Sequence, residues 1–203
     1  ELAAHHHWHI GTDEDIREMF RRQNGGKPLS NTQKRKSLES DEVSAIIFDV
    51  ANHPFFAKIL SPTQLKKDVA NDIVRQTLML INTTDDNDFT SFRAKDIDTF
   101  VEWYNEHVDE KDIILLKSAL AFLDEKFEEK LNLKSTSLPM MLYAAYTCVK
   151  NEKDFDEFVN IVQEFVNSYG DNMDYVQYCT SGTSSAQSVQ GRFNYWKNLC
   201  KGL

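Results

Sequence analysis

Seven glycines and four prolines in 203 residues are too few to punctuate a turn-rich all-β fold, so helices are expected to dominate. Cysteine is scarce as well. Cys148, Cys179 and Cys200 form an odd set without Cys-x-x-Cys spacing, which argues against a disulfide framework or a structural zinc site. Such thiols suit a reducing, cytoplasmic setting. No stretch approaches the roughly 20 consecutive apolar residues of a membrane span, and no charged-then-apolar leader opens the chain. There is also no P-loop: that motif needs a hydroxyl residue directly after its lysine, and here Pro28 follows Lys27. The sequence opens at Glu1 without a methionine, and a piece of a longer chain is expected.

Large side chains are plentiful. Apolar residues make up 41% and 13 phenylalanines are available, enough for a substantial core. The net charge of -9 and pI near 5.1 disfavour wholesale coating of nucleic acid. The charge is uneven, however. Arg21, Arg22, Lys27, Lys34, Arg35 and Lys36 form a local basic strip that could touch DNA, while acids gather later, as in Asp85-Asp86-Asn87-Asp88.

Residues 2–10 read as a short strand. Thr12 and Asp15 then make a capping box, Ile16, Met19 and Phe20 a buried stripe, and Asn24-Gly25-Gly26 a stop. A second start falls at Ser30-Asn31. Helical spacing resumes at Val43, Ile46, Ile47 and Val50 and ends before His53-Pro54. A short apolar helix over 55–60 leads to Ser61-Pro62-x-Gln64, the clearest start signal present. Leu65, Val69, Ile73, Leu80 and Ile81 are expected to carry that helix to Asn82 without a break. After a polar loop over 83–90, Ile97, Phe100, Val101 and Tyr104 make another helix. Ile113, Leu116, Leu120, Leu123 and Phe127 face inward on one expected over about 109–131. Further helices follow over 140–150, over 155–169 and at the C-terminus, where Val189, Phe193, Trp196 and Cys200 share a side. The fold class is mainly α: a multi-helix bundle or array with at most one short N-terminal strand.

The sharpest constellation is Phe20-Arg21-Arg22-Gln23-Asn24-Gly25-Gly26-Lys27-Pro28-Leu29-Ser30. Arg22 offers a planar fork for phosphate, the glycine turn exposes backbone N–H groups, and the helix starting near Ser30 turns its positive end outward. Chemistry alone favours a plain helix–turn–helix corner with solvated basic residues. The pattern Phe20-x-Arg22-x-Asn24-x-Gly26-Lys27-Pro28-Leu29-Ser30 nevertheless resembles a segment of the GmrSD-type restriction-enzyme N-terminal domain family (domain of unknown function 262), as does the run Thr12 to Arg17 leading into it. The Ser-rich linker into Ser188-Val189-x-x-Arg192 is similar in style to that family's C-terminal end. Close resemblance covers about 20 residues; the remainder matches only in helical character.

That resemblance implies residues 1–30 as the end of a ParB/sulfiredoxin-like catalytic domain and residues 31–203 as a helical domain. Nucleotide or DNA binding would involve Phe20, Arg22, Asn24, Gly26 and Lys27. The family's Asp-Gly-Gln-Gln-Arg-like motif for nucleotide hydrolysis or DNA cleavage is missing, so no catalytic residue is expected here. The nucleotide, the divalent metal and the upstream catalytic domain would belong to a parent protein of phage or defence origin. From another class comes the alternative of a non-enzymatic helical protein-interaction module working through an apolar groove.

The remaining constellations favour plain readings. His5, His7 and His9 would share one strand face, but no nearby Cys, Asp or Glu completes a zinc set, and no metal is expected. Cys148 amid Tyr143, Ala144, Ala145 and Tyr146 reads as a buried, inert thiol. Asp124, Glu125, Glu128 and Glu129 read as a solvated face. Phe193 and Trp196 read as core, with Lys197 and Lys201 solvated, in preference to a nucleic-acid clamp.

Overall fold

In the computed structural model the described residues are 31–128 and 130–203, and among them there are eleven α-helices and no strand. The expected N-terminal strand and the helix from Thr12 lie outside the described residues. In chain order the helices are α1 (Asn31–Lys36), α2 (Asp41–Ala51), α3 (Pro54–Ile59), α4 (Pro62–Lys66), α5 (Val69–Ile81) and α6 (Ala94–Tyr104). They continue with α7 (Glu110–Lys126), α8 (Leu138–Lys150), α9 (Phe155–Ser168), α10 (Met173–Val176) and α11 (Ala186–Leu199). Two 3-10 turns, Ser135–Ser137 and Gln177–Cys179, precede α8 and follow α10.

Helix α8 is the axis of the array. Its sequence, Leu-Pro-Met-Met-Leu-Tyr-Ala-Ala-Tyr-Thr-Cys-Val-Lys, is apolar nearly all round, and a helix of that kind must be covered on every side. It packs chiefly against α7 and α5, with α9 and α11 closing the other flanks. Met140, Met141, Ala145 and Tyr146 are buried among them. Amphipathic α9 presents Phe158, Val159, Val162 and Phe165 to this core, and α11 presents Val189, Phe193 and Trp196. The reading of Phe193 and Trp196 as core therefore holds, and Lys197 and Lys201 are exposed.

Local signals account for most helix boundaries. Ser61 Oγ accepts from the Gln64 amide at 3.3 Å while Gln64 Oε1 accepts from the Ser61 amide at 2.9 Å, so the expected capping box starts α4. The expected unbroken helix from there to Asn82 is not found. Lys67 ends α4, and Asp68 takes φ 57°, a left-handed conformation, before α5 begins. Short polar side chains tolerate that region better than most, which is why the break needs neither Gly nor Pro. The helix expected to reach about residue 131 stops at Lys126. Lys58 Nζ donates to the carbonyl oxygen of Asp124 at 2.6 Å, satisfying a group that the helix end leaves free. Phe127 is buried as expected, but from the extended residue that ends the helix, and Leu131 is buried beyond it. No helix among the described residues is long and apolar enough to cross a membrane.

Candidate anion-binding motif, its anchorage and a lysine-rimmed cleft

Phe20, Arg22, Asn24, Gly26 and Lys27 lie outside the described residues, as does the histidine run His5–His9. What is described is the chain that follows the motif directly. Helix α1 and the segment up to Ser40 are fastened to the body by a charged clamp. Arg35, 5% exposed, donates from Nε to Asp98 Oδ1 at 3.0 Å and from Nη1 to Asp72 Oδ1 at 3.1 Å. Arg75, fully buried on α5, donates from Nη1 to the same Asp72 oxygen at 3.1 Å and from Nε to Glu39 Oε1 at 2.6 Å. Its Nη2 sits 2.5 Å from that Glu39 oxygen, close enough for charge attraction but badly angled for a hydrogen bond. Asn105, at the end of α6, completes the fastening: it accepts from the Ser40 amide and donates to the Leu38 carbonyl, each at 2.9 Å.

Two consequences follow. A buried ion pair gives up hydration that its mutual attraction only partly restores, so its worth lies more in fixing one geometry than in net stability. Here the geometry fixed is the exit path of the chain after Ser30. Second, of the basic strip read from the sequence only Lys34, Arg35 and Lys36 are described, and Arg35 is turned inward onto two carboxylates, while Lys34 and Lys36 are exposed, Lys36 lying 3.6 Å from Asp68. The acids of the expected solvated face are also less uniform than read, since Asp124 is half-buried and pairs with Lys58 at 2.7 Å.

A cleft of about 300 Å³ lies between α8 and α11. Tyr143 and Trp196 line it, Cys148 and Cys200 lie within it, and Lys153, Lys197 and Lys201 stand at its exposed rim. Burial pushes the Cys148 thiol up to about 11 and the Cys200 thiol up to about 12. Both are protonated at neutral pH and neither is a nucleophile there. That agrees with the reading of Cys148 as inert. Among the described residues no group of three His, Cys, Asp or Glu is arranged to hold a metal ion, so no step through a metal is assigned to them.

The sequence reading missed the clamp. Its one visible signal is Arg75, which falls at a helical position flanked by Ile73, Val74, Leu78 and Met79, where a charge needs a buried partner. The partner, Glu39, is 36 residues away, and no local pattern announces it. Compared with protein-family models, curated proteins and solved structures, the chain finds no match in any of the three. The likeness to the GmrSD-type family therefore rests on the resemblance in sequence alone.

Proposed function

We propose that this chain is the helical, non-catalytic portion of a GmrSD-like nuclease or nucleotide hydrolase, whose role is to hold an anion-binding motif in place. Phe20, Arg22, Asn24, Gly26 and Lys27 would grip a phosphate of a nucleotide or of DNA. The reactive groups, the nucleotide and any divalent metal would belong to the parent protein's catalytic domain. The observation that carries this reading is the clamp. Five charged residues, of which Arg35, Glu39 and Arg75 are buried, and Asn105 are committed to fixing the few residues that follow the motif, a large outlay of charge for an ordinary helix connection. The three unpaired cysteines suit a cytoplasmic setting.

A titration of the full chain with nucleotide and with short duplex DNA, at low and moderate salt, tests it against Arg22→Ala and Asn24→Ala. Binding weakened by about ten-fold in both variants supports the reading. Binding that neither substitution alters, or no binding to either ligand, removes it.

A second reading, a protein-interaction module, is favoured by one observation. Phe48 on α2 and Ile114 on α7 are 64% and 62% exposed, and the same two helices are bridged by an ion pair between Asp49 and Lys117. Apolar side chains left in water on neighbouring helices suit a partner surface. Replacing both with Ser would abolish partner binding in that case and leave nucleotide or DNA binding unchanged.

A further inference from the structure

The cleft between α8 and α11 combines a neutral wall with a basic mouth. Ala144, Cys148 and Trp196 along it are buried, and Tyr143, Cys200 and Leu203 are half-buried. Both thiols are protonated at neutral pH, so they bring no charge and act as small apolar groups. No Asp or Glu lines the cleft. Asp154, next to Lys153 in sequence, is engaged elsewhere: its Oδ1 accepts from the amides of Asp156 and Glu157 at the start of α9.

Lys153, Lys197 and Lys201 are exposed at the mouth, and no carboxylate among the described residues pairs with any of them. Lys36, Lys58, Lys117, Lys126 and Lys150, by contrast, each pair with an aspartate. In a chain with 32 acidic and 23 basic residues, such a mouth runs against the average. Helices α8 and α11 both end at the cleft, and a helix C-terminus carries roughly half a negative charge that by itself draws lysines. Two such ends offset about one of the three ammonium charges and leave the rest unbalanced. The Lys197 ammonium is held 4.4 Å from the Phe193 ring centroid, and that ring packs edge-on against Tyr143 with centroids 4.7 Å apart. A lysine so placed has less rotamer freedom to lose when it meets an anion.

The cleft volume of about 300 Å³ is at the lower end of ligand pockets and equals the share of roughly ten waters. We propose that it binds a small amphipathic carboxylate of about ten non-hydrogen atoms, with the apolar body against Tyr143, Ala144 and Leu203 and the head group on Lys197 and Lys201. A bare anion gains little there, because exposed ammonium groups are screened by water and salt. An apolar body adds the burial that the screened charges cannot supply, and the charges fix which end points outward. This site does not depend on the phosphate-binding reading.

The test is calorimetric titration of the full chain with octanoate. One site per chain is expected, with a dissociation constant of roughly 0.1–1 mM for a ligand of that size. Acetate keeps the head group without the body, and octyltrimethylammonium keeps the body with the opposite charge; each is expected to bind at least about ten-fold more weakly. Lys197→Gln combined with Lys201→Gln changes only exposed side chains and should weaken octanoate about five-fold. Thr147→Trp should fill the cleft and abolish binding; the Thr147 hydroxyl donates only to the Tyr143 carbonyl of its own helix, at 2.9 Å, so little else is lost. Should that variant unfold, the lysine pair decides alone. Arg22→Ala is expected to leave octanoate binding unchanged, which separates this site from the motif. No binding of octanoate at millimolar concentration overturns the proposal. So does octyltrimethylammonium binding equally well, octanoate affinity unchanged by the lysine substitutions, or affinity lost in Arg22→Ala.

Discussion

His53 caps α3 with an imidazole instead of the usual hydroxyl or carboxylate: its Nδ1 accepts from the Phe55 amide at 3.3 Å. Only the neutral ring can accept there. Burial holds its pKa below the ordinary 6.5; Asp124 pulls the other way, and Lys117 and Lys58 add to the lowering. A depressed folded pKa means the cap contributes fully above about pH 6.5, and that the contribution is lost as pH falls from there through the folded value. Since the ring is only half-buried, we expect a few tenths of a kcal/mol. Urea unfolding near pH 7.5 and near pH 5 checks it, with His53→Asn retaining a cap but losing this part of the pH dependence. Gly191 supplies a second residue-scale expectation. Gly191→Ala would drive a methyl into the Tyr178 ring, costing roughly 1–3 kcal/mol by thermal unfolding despite the better helix propensity of alanine. Neither feature was legible beforehand. His53-Pro54 read simply as a boundary, and Gly191 inside an apolar helix gave no sign of the ring that crosses it. Ser61 and Gln64, by contrast, were read correctly because a capping box is complete within four residues.

Among the elements, the sequence was legible wherever the cause is local and blind wherever it is tertiary. The apolar faces of α6, α9 and α11 follow from spacing alone, and each is buried as expected. The break between α4 and α5 was missed because Asp68 adopts its left-handed turn with no glycine to mark it. Asp68→Gly relieves that strain while giving up only a loose, half-exposed contact with Lys36, so a gain of up to about 1 kcal/mol is expected in denaturant unfolding. The clamp makes a stronger statement. Arg75→Leu leaves Glu39 charged and buried without its partner, which should cost about 3–5 kcal/mol. Combining it with Glu39→Leu should recover most of that loss, as a buried pair replaced by apolar side chains is close to neutral. A double variant no better than the single one would mean that the two residues do not act as a pair.

For the whole molecule, the net charge of -9 works against wholesale contact with a phosphate backbone, and Arg35 is turned inward onto Asp72 and Asp98. The fold class was readable from composition, since few glycines and prolines with periodic apolar residues allow little besides helices. The candidate site was readable only as a motif, and of the clamp that follows it only Arg75, among apolar neighbours, gave a signal. If the body exists to hold that motif, loosening the hold must weaken binding even though Arg35, Glu39 and Arg75 are buried. Arg35→Leu combined with Asp98→Asn opens the clamp at α1 while leaving the Arg75–Glu39 pair in place. The deciding measurement is the affinity of that variant for nucleotide and for duplex DNA, taken where unfolding curves show it still folded. We expect a loss comparable to that of Arg22→Ala. Binding as tight as in the unaltered chain would contradict the proposed role of the helical body.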